Sequence, residues 1–181
     1  KLTNLVFTGG VSIPIGLVCA RAPAAPAGEQ DCHVVRQDNE VELRSPMFAF
    51  RLGTADGLRA EFCENRLTGR KISLGHGAEL NVDIGPLGGP LETPKWRVSQ
   101  WPVAGSAAAG EAVFILIAER PAISARVTYR WNAVEPVLRK FIEITNGGER
   151  DVMLLNLRLG TYPTQAKLVE REQGFPVYLD D

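Results

Sequence analysis

Few residues in this chain have types and spacings that do chemistry, and they point in different directions. His76 sits between two glycines in "LGHGAEL". An imidazole in such a loop can serve as a general base or contact a ligand; a plain turn residue is the alternative. The other histidine, His33, follows Cys32, and a lone Cys-His pair is not metal-ligand spacing. Glu61 and Glu64 flank Cys63, with Asp56 nearby. Glycoside hydrolysis needs two carboxylates a set distance apart. An odd separation, however, puts Glu61 and Glu64 on opposite faces of a regular strand, and the pattern reads as solvated surface acids. Trp96 and Trp101 lie in "KWRVSQW", also an odd number apart. An indole face that reaches solvent can stack on the apolar face of a sugar ring; the competing reading is burial in the core, which is assigned to Trp131. Trp96, Trp101 and His76 are therefore the candidate carbohydrate contacts, and no catalytic residue is assigned.

Other chemistries leave no trace. The chain lacks G-x-x-x-x-G-K-[ST], G-x-S-x-G and the dinucleotide glycine fingerprint. "GPLGGP" is rich in glycine, but its prolines remove the amide donors that a phosphate nest requires. Cys19, Cys32 and Cys63 show no C-x-x-C spacing. No metal and no cofactor is expected. Cys32 and Cys63 are either a disulfide, as an oxidising compartment allows, or two thiols.

With 181 residues, 45% hydrophobic and 23% charged, the chain has the length and apolar content of one globular domain with a real core. Its net charge of -1 gives no reason to expect a nucleic-acid or anionic-membrane partner. The first segment starts with Lys1, continues through an apolar run from Leu5 to Ala20, and reaches Ala25-Pro26-Ala27 before Gly28. That is the layout of a secretory signal with an A-x-A cleavage site; an apolar first strand followed by a Pro/Ala linker is the alternative. Residues 1–28 are expected to be signal and linker. The protein is then secreted or periplasmic, with no membrane span in the mature form, because the run is too short and interrupted. The opening Lys1 and the closing "PVYLDD" suggest a piece of a longer product, with residues 29–181 forming a domain cut short at its C-terminal end.

The elements that would position these side chains are strands. From Glu40 onward the pattern has a period of two, in runs bounded by Gly, Pro or Asn. In "ISARVTYRW" Ile123, Ala125, Val127, Tyr129 and Trp131 share one face, with Ser124, Arg126, Thr128 and Arg130 on the other. In "PVLRKFIEIT" Leu138, Lys140, Ile142 and Ile144 oppose Val137, Arg139, Phe141 and Glu143, and the weaker contrast predicts a strand covered on both sides. "PVLRKFIEITNGGERDVMLLNLRL" reads as a hairpin, two strands joined through Asn146-Gly147-Gly148. The stretch "AGSAAAGEA" reads as flexible, and only "TYPTQAKLVEREQG" has room for a helix. The expected fold is all-β, a large two-sheet antiparallel β-sandwich.

Three pieces carry a family resemblance. "LRAEFCENRLTGRKISL" looks like two strands paired around an N-x-x-T-G turn, "ELNVDIG" like the strand that follows, and the 136–159 stretch like a further strand, turn and strand. In this order they resemble the N-terminal β-sandwich domain of bacterial α-galactosidase-like glycoside hydrolases, a galactose mutarotase-like supersandwich. The resemblance covers Val34 to Leu159. It implies a non-catalytic domain that packs on a C-terminal catalytic barrel of the same chain and shapes its substrate entrance, with carbohydrate as the ligand. Two alternatives stay open: a free-standing carbohydrate-binding module using Trp96 or Trp101, and a mutarotase-type epimerase pairing His76 with a carboxylate such as Glu61.

Overall fold

The computed structural model describes residues 5–7, 10–18, 32–86, 88–107, 109–163, 167–172 and 175–179, with side chains given for 32–86, 88–105 and 110–163. In chain order the strands are β1 (Leu5–Phe7), β2 (Gly10–Val18), β3 (Cys32–Gln37), β4 (Glu40–Arg44), β5 (Phe48–Gly53), β6 (Arg59–Asn65), β7 (Arg70–Ala78) and β8 (Asn81–Pro86). They continue with β9 (Arg97–Gln100), β10 (Gly105–Ala107), β11 (Ala109–Ala118), β12 (Ile123–Asn132), β13 (Val137–Asn146), β14 (Val152–Arg158), β15 (Lys167–Glu172) and β16 (Phe175–Leu179). Among the described residues there is no helix, and the protein is all-β with antiparallel sheets, as the period-two runs require.

Two large sheets form the body. One runs β10-β3-β4-β5-β6-β7, the other β2-β13-β12-β11-β9. A smaller sheet, β1-β14-β8, and the β15-β16 pair complete the arrangement. The inward residues of β4 and β5, among them Val41, Leu43, Phe50 and Leu52, share one buried cluster with Phe114, Leu116, Val127, Leu138 and Ile142 of the other sheet. Each such side chain stabilises the fold by about 1.5–3 kcal/mol relative to exposure. The Tyr129 ring bridges the layers, with centroids 6.0 Å from both Phe50 and Phe114. Trp131 is buried and donates its indole N–H to the Arg44 carbonyl of the facing sheet at 3.0 Å.

Local sequence explains most pairings. Asn65 accepts from the amides of Leu67 and Thr68, and Gly69 takes a φ of +70°, so the N-x-x-T-G turn pairs Asn65 with Arg70 as expected. The five apolar residues from Ile123 to Trp131 are all buried.

Four expectations are corrected. The 136–159 stretch is not a hairpin: β13 pairs with β12 and β2, whereas β14 pairs with β1 and β8 in another sheet. A two-residue hairpin turn needs positive φ, which neither Gly147 nor Gly148 adopts. Instead the Gly147 amide bonds to the Ala122 carbonyl at 2.9 Å, and the Asn146 side chain holds the Gly148 amide and the Arg150 carbonyl. The chain therefore crosses between sheets. Second, β13 is one-sided: Leu138, Lys140, Ile142 and Ile144 are buried while Arg139 and Glu143 are exposed. Third, "AGSAAAGEA" contains β10, which pairs with β3, and the start of β11, because backbone bonds need no large side chains. Fourth, "TYPTQAKLVEREQG" supplies β15, which pairs with β16, and no helix is described there.

Of the stretch expected to be a leader and linker, residues 1–28, residues 5–7 and 10–18 are described and the others lie outside the described residues. Within it, β2 pairs with β13 from Gly10↔Thr145 to Val18↔Val137. Cys32 is buried and Cys63 half-buried, and no disulfide joins the two.

Candidate functional site

A cleft of about 390 Å³ opens at one end of the two large sheets. Its apolar lining is Leu58, Leu80, Leu116 and the half-buried Trp96; its polar lining includes Asp56, Arg59, Asn81, Thr93 and Lys95. A second hollow, about 420 Å³, shares Thr93 and Lys95 and adds Arg97, Ile117, Glu119 and Arg120. The strap from Glu92 to Trp96 thus divides two adjoining depressions.

The strap is held from β8. Glu92 and Ile84 exchange backbone bonds of 2.8 Å, and Thr93 donates its hydroxyl to Asp83 at 2.5 Å. Asn156 donates to the other Asp83 oxygen at 2.8 Å. These hydrogen bonds, from Thr93 first and then Asn156, hold the Asp83 carboxyl below the usual carboxylate range, so it stays an acceptor. Gly85 lets the chain leading into the strap pass: a Cβ there would lie 2.3 Å from the Pro90 carbonyl oxygen. On the far side Gly57, at φ +74°, backs directly onto the Trp96 backbone. Arg59 closes the mouth, bonding the Asp56 carboxylate at 3.0 Å and the His76 carbonyl at 3.2 Å.

The candidate contacts from the sequence are not brought together. Trp96 lines the cleft. Trp101 lies beyond the other end of the short β9, half-buried, with the Arg36 guanidinium 4.9 Å from its ring centroid. Both indole N–H groups are buried with no acceptor. His76 projects from a bulge. Ala60 pairs with Gly77 and Phe62 with Ser73, so Leu74, Gly75 and His76 oppose Glu61 alone. Gly75 and His76 take φ values of +62° and +52°. The His76 side chain is 74% exposed, with Nδ1 4.0 Å from a Glu61 oxygen. Glu61 departs from the solvated-surface expectation: its side chain is only 19% exposed, turned against Gly53 and His76.

A polar cluster the sequence reading missed lies deeper. Glu79, wholly buried, forms an ion pair with Lys140 and accepts from the Tyr129 hydroxyl. Lys140 also reaches the Leu159 carbonyl at 3.5 Å. Burial first, then the charge of Glu79, pushes the Tyr129 hydroxyl far above its ordinary range; the same two causes raise Tyr162. With Glu79 at 0% exposure and Lys140 at 4%, the pair is almost wholly shielded from solvent and ties β13 to the β7–β8 connection. One sequence signal marked it: Lys140 occupies the apolar parity of β13. Among the described residues no three His, Cys, Asp or Glu side chains gather as metal ligands.

Comparison with protein-family models, with curated proteins and with solved structures found no match. What the site can do therefore rests on its geometry. A half-buried indole beside an amide, a hydroxyl and charged groups in an open cleft can hold a ligand that has both an apolar face and hydroxyls.

Proposed function

We propose that this protein is a non-catalytic, carbohydrate-contacting β-sandwich domain that holds a sugar ring against Trp96. It serves a secreted glycoside hydrolase whose bond cleavage is carried out by a separate catalytic barrel, with the sandwich at the substrate entrance and the galactose mutarotase-like supersandwich as its architecture. The observation that carries the reading is the placement of Trp96 in an open cleft with Asn81, Thr93, Asp56 and Arg59 around it. The indole supplies a rigid flat surface, and the polar groups supply hydrogen-bond partners for sugar hydroxyls. Exposed large apolar side chains give less support to an extensive barrel interface. Among the described residues Val35, Leu91, Val103 and Val134 are dispersed over four different segments.

Titration of the protein with neutral oligosaccharides tests the reading. Trp96→Ala is expected to weaken binding at least tenfold, about 1.4 kcal/mol, with the strand signal in circular dichroism unchanged. Equal affinity in the variant would overturn it.

A second reading, sugar epimerisation, draws on the 4.0 Å approach of His76 Nδ1 to Glu61. It ranks lower because His76 stands in solvent, where water screens both charges and competes for the proton. Tryptophan stacking requires no such exclusion.

A further inference from the structure

We infer that the hollow lined by Lys95, Arg97 and Arg120 is an anion subsite, so that the saccharide held at Trp96 is acidic, carrying a carboxylate or a sulfate ester that reaches into the adjoining hollow. The inference rests on the carbohydrate-binding reading above. Two observations carry it. The hollow adjoins the Trp96 cleft through the shared Thr93 and Lys95. Its cations are also left without carboxylate partners, whereas Arg44, Arg51, Arg59, Arg126, Arg130 and Arg139 each form an ion pair. Among the described residues Lys95, Arg97 and Arg120 form none. Glu119 lines the same hollow and offsets one of the three charges.

The folding explains the gathering. Arg97 pairs with Ile117 across β9 and β11 on their outward side. The turn after β11 adds Arg120, and the strap pinned to Asp83 adds Lys95. Three cations from two chain segments, residues 95–97 and the turn after β11, focus a positive potential in a depression. Arginine presents a planar fork that matches a carboxylate or a sulfate. The ligand class follows from the juxtaposition: an apolar ring face for Trp96 and an anionic substituent for the adjoining cations.

The test is calorimetric titration of the full chain with four probes: a neutral tetrasaccharide, its sulfated form, a tetrasaccharide of uronic acids, and inorganic sulfate. The expected result is that one or both acidic tetrasaccharides bind about tenfold tighter than the neutral one. The Arg97→Gln/Arg120→Gln variant loses that advantage yet keeps its affinity for the neutral probe. A preference for the uronic acid probe alone assigns a carboxylate, and for the sulfated probe alone a sulfate ester; either supports the inference. Equal binding of neutral and acidic saccharides overturns it and leaves the Trp96 reading standing. Binding of inorganic sulfate, lost in the variant, without binding of any saccharide overturns the acidic-saccharide inference together with the carbohydrate reading, and so does silence from all four probes.

Discussion

Lys140 is the residue whose chemistry is most at odds with its neighbours. It lies between Leu138 and Ile142 on the buried side of β13, and its ammonium is compensated by Glu79. Removing one member of a buried pair leaves an unpaired charge in a medium that solvates it poorly, whereas replacing both by apolar side chains does not. Lys140→Ala is expected to cost about 3–5 kcal/mol, and Glu79→Leu/Lys140→Met much less. Urea unfolding of the three proteins checks this; a loss in the double variant as large as in Lys140→Ala would contradict the tie. The same residue shows what was legible. Alternation identified the inward face, including Tyr129 and Trp131, because apolar side chains repeat at the strand period. The partner of Lys140 was not legible, since Glu79 lies in the connection between β7 and β8 and meets Lys140 only through the fold. Trp96 was picked out by type; its cleft depends on Gly57, Asp83 and Gly85, whose part no local pattern announces.

At the scale of elements, β7 illustrates how a strand can be shaped by what lies beside it. Its bulge turns His76 outward, and its glycines admit the segment from Thr161 to Pro163. A Cβ on Gly77 would fall 1.6 Å from the Thr161 carbonyl oxygen, and one on Gly75 2.6 Å from the Pro163 ring. The Thr161 amide bonds the Ala78 carbonyl at 3.2 Å, and this contact brings Tyr162 towards Glu79. Gly77→Ala is expected to destabilise the protein by at least about 1–3 kcal/mol through overpacking. It should also deprotect the amides of residues 160–162 in hydrogen exchange. Unchanged protection would show that the segment is held by other contacts. Individual strands were legible from their period and their turns, as the Asn65–Gly69 turn shows. Strand partnership was less so: Asn146-Gly147-Gly148 has hairpin composition yet carries the chain to another sheet, because the Ala122 carbonyl claims the Gly147 amide.

For the whole molecule, buried and paired ionisable groups set the pH range of stability. Tyr129 and Tyr162 have folded-state pKa values raised above the ordinary 10.0. Their stabilising contribution is fully present below pH 10 and is lost as pH rises beyond it, since the unfolded chain releases those protons first. Glu42 works in the opposite sense. Burial raises its pKa, but hydrogen bonds and charge from Arg44 and Arg51 outweigh burial and leave it lowered from 4.5. Its contribution holds above that value and is lost on acidification. Urea midpoints are expected to fall between pH 9 and pH 11, and less steeply in Tyr162→Phe. Parallel alkaline limbs in the two proteins would mean that Tyr162 is not the group responsible.

The six-stranded sheet ends in borders that differ from an open ribbon. One is β10, only three residues long; the other is β7, bent by its bulge and overlain by the 161–163 segment. A neighbouring copy seeking to zip its backbone onto this sheet finds only three residues at the first border and, at the second, a strand whose Gly75–Ala78 end is already covered. Strand addition is thereby opposed at β10 and at the Gly75–Ala78 end of β7, and the short passage of chain around Tyr162 that covers this border also lies over the Glu79 cluster.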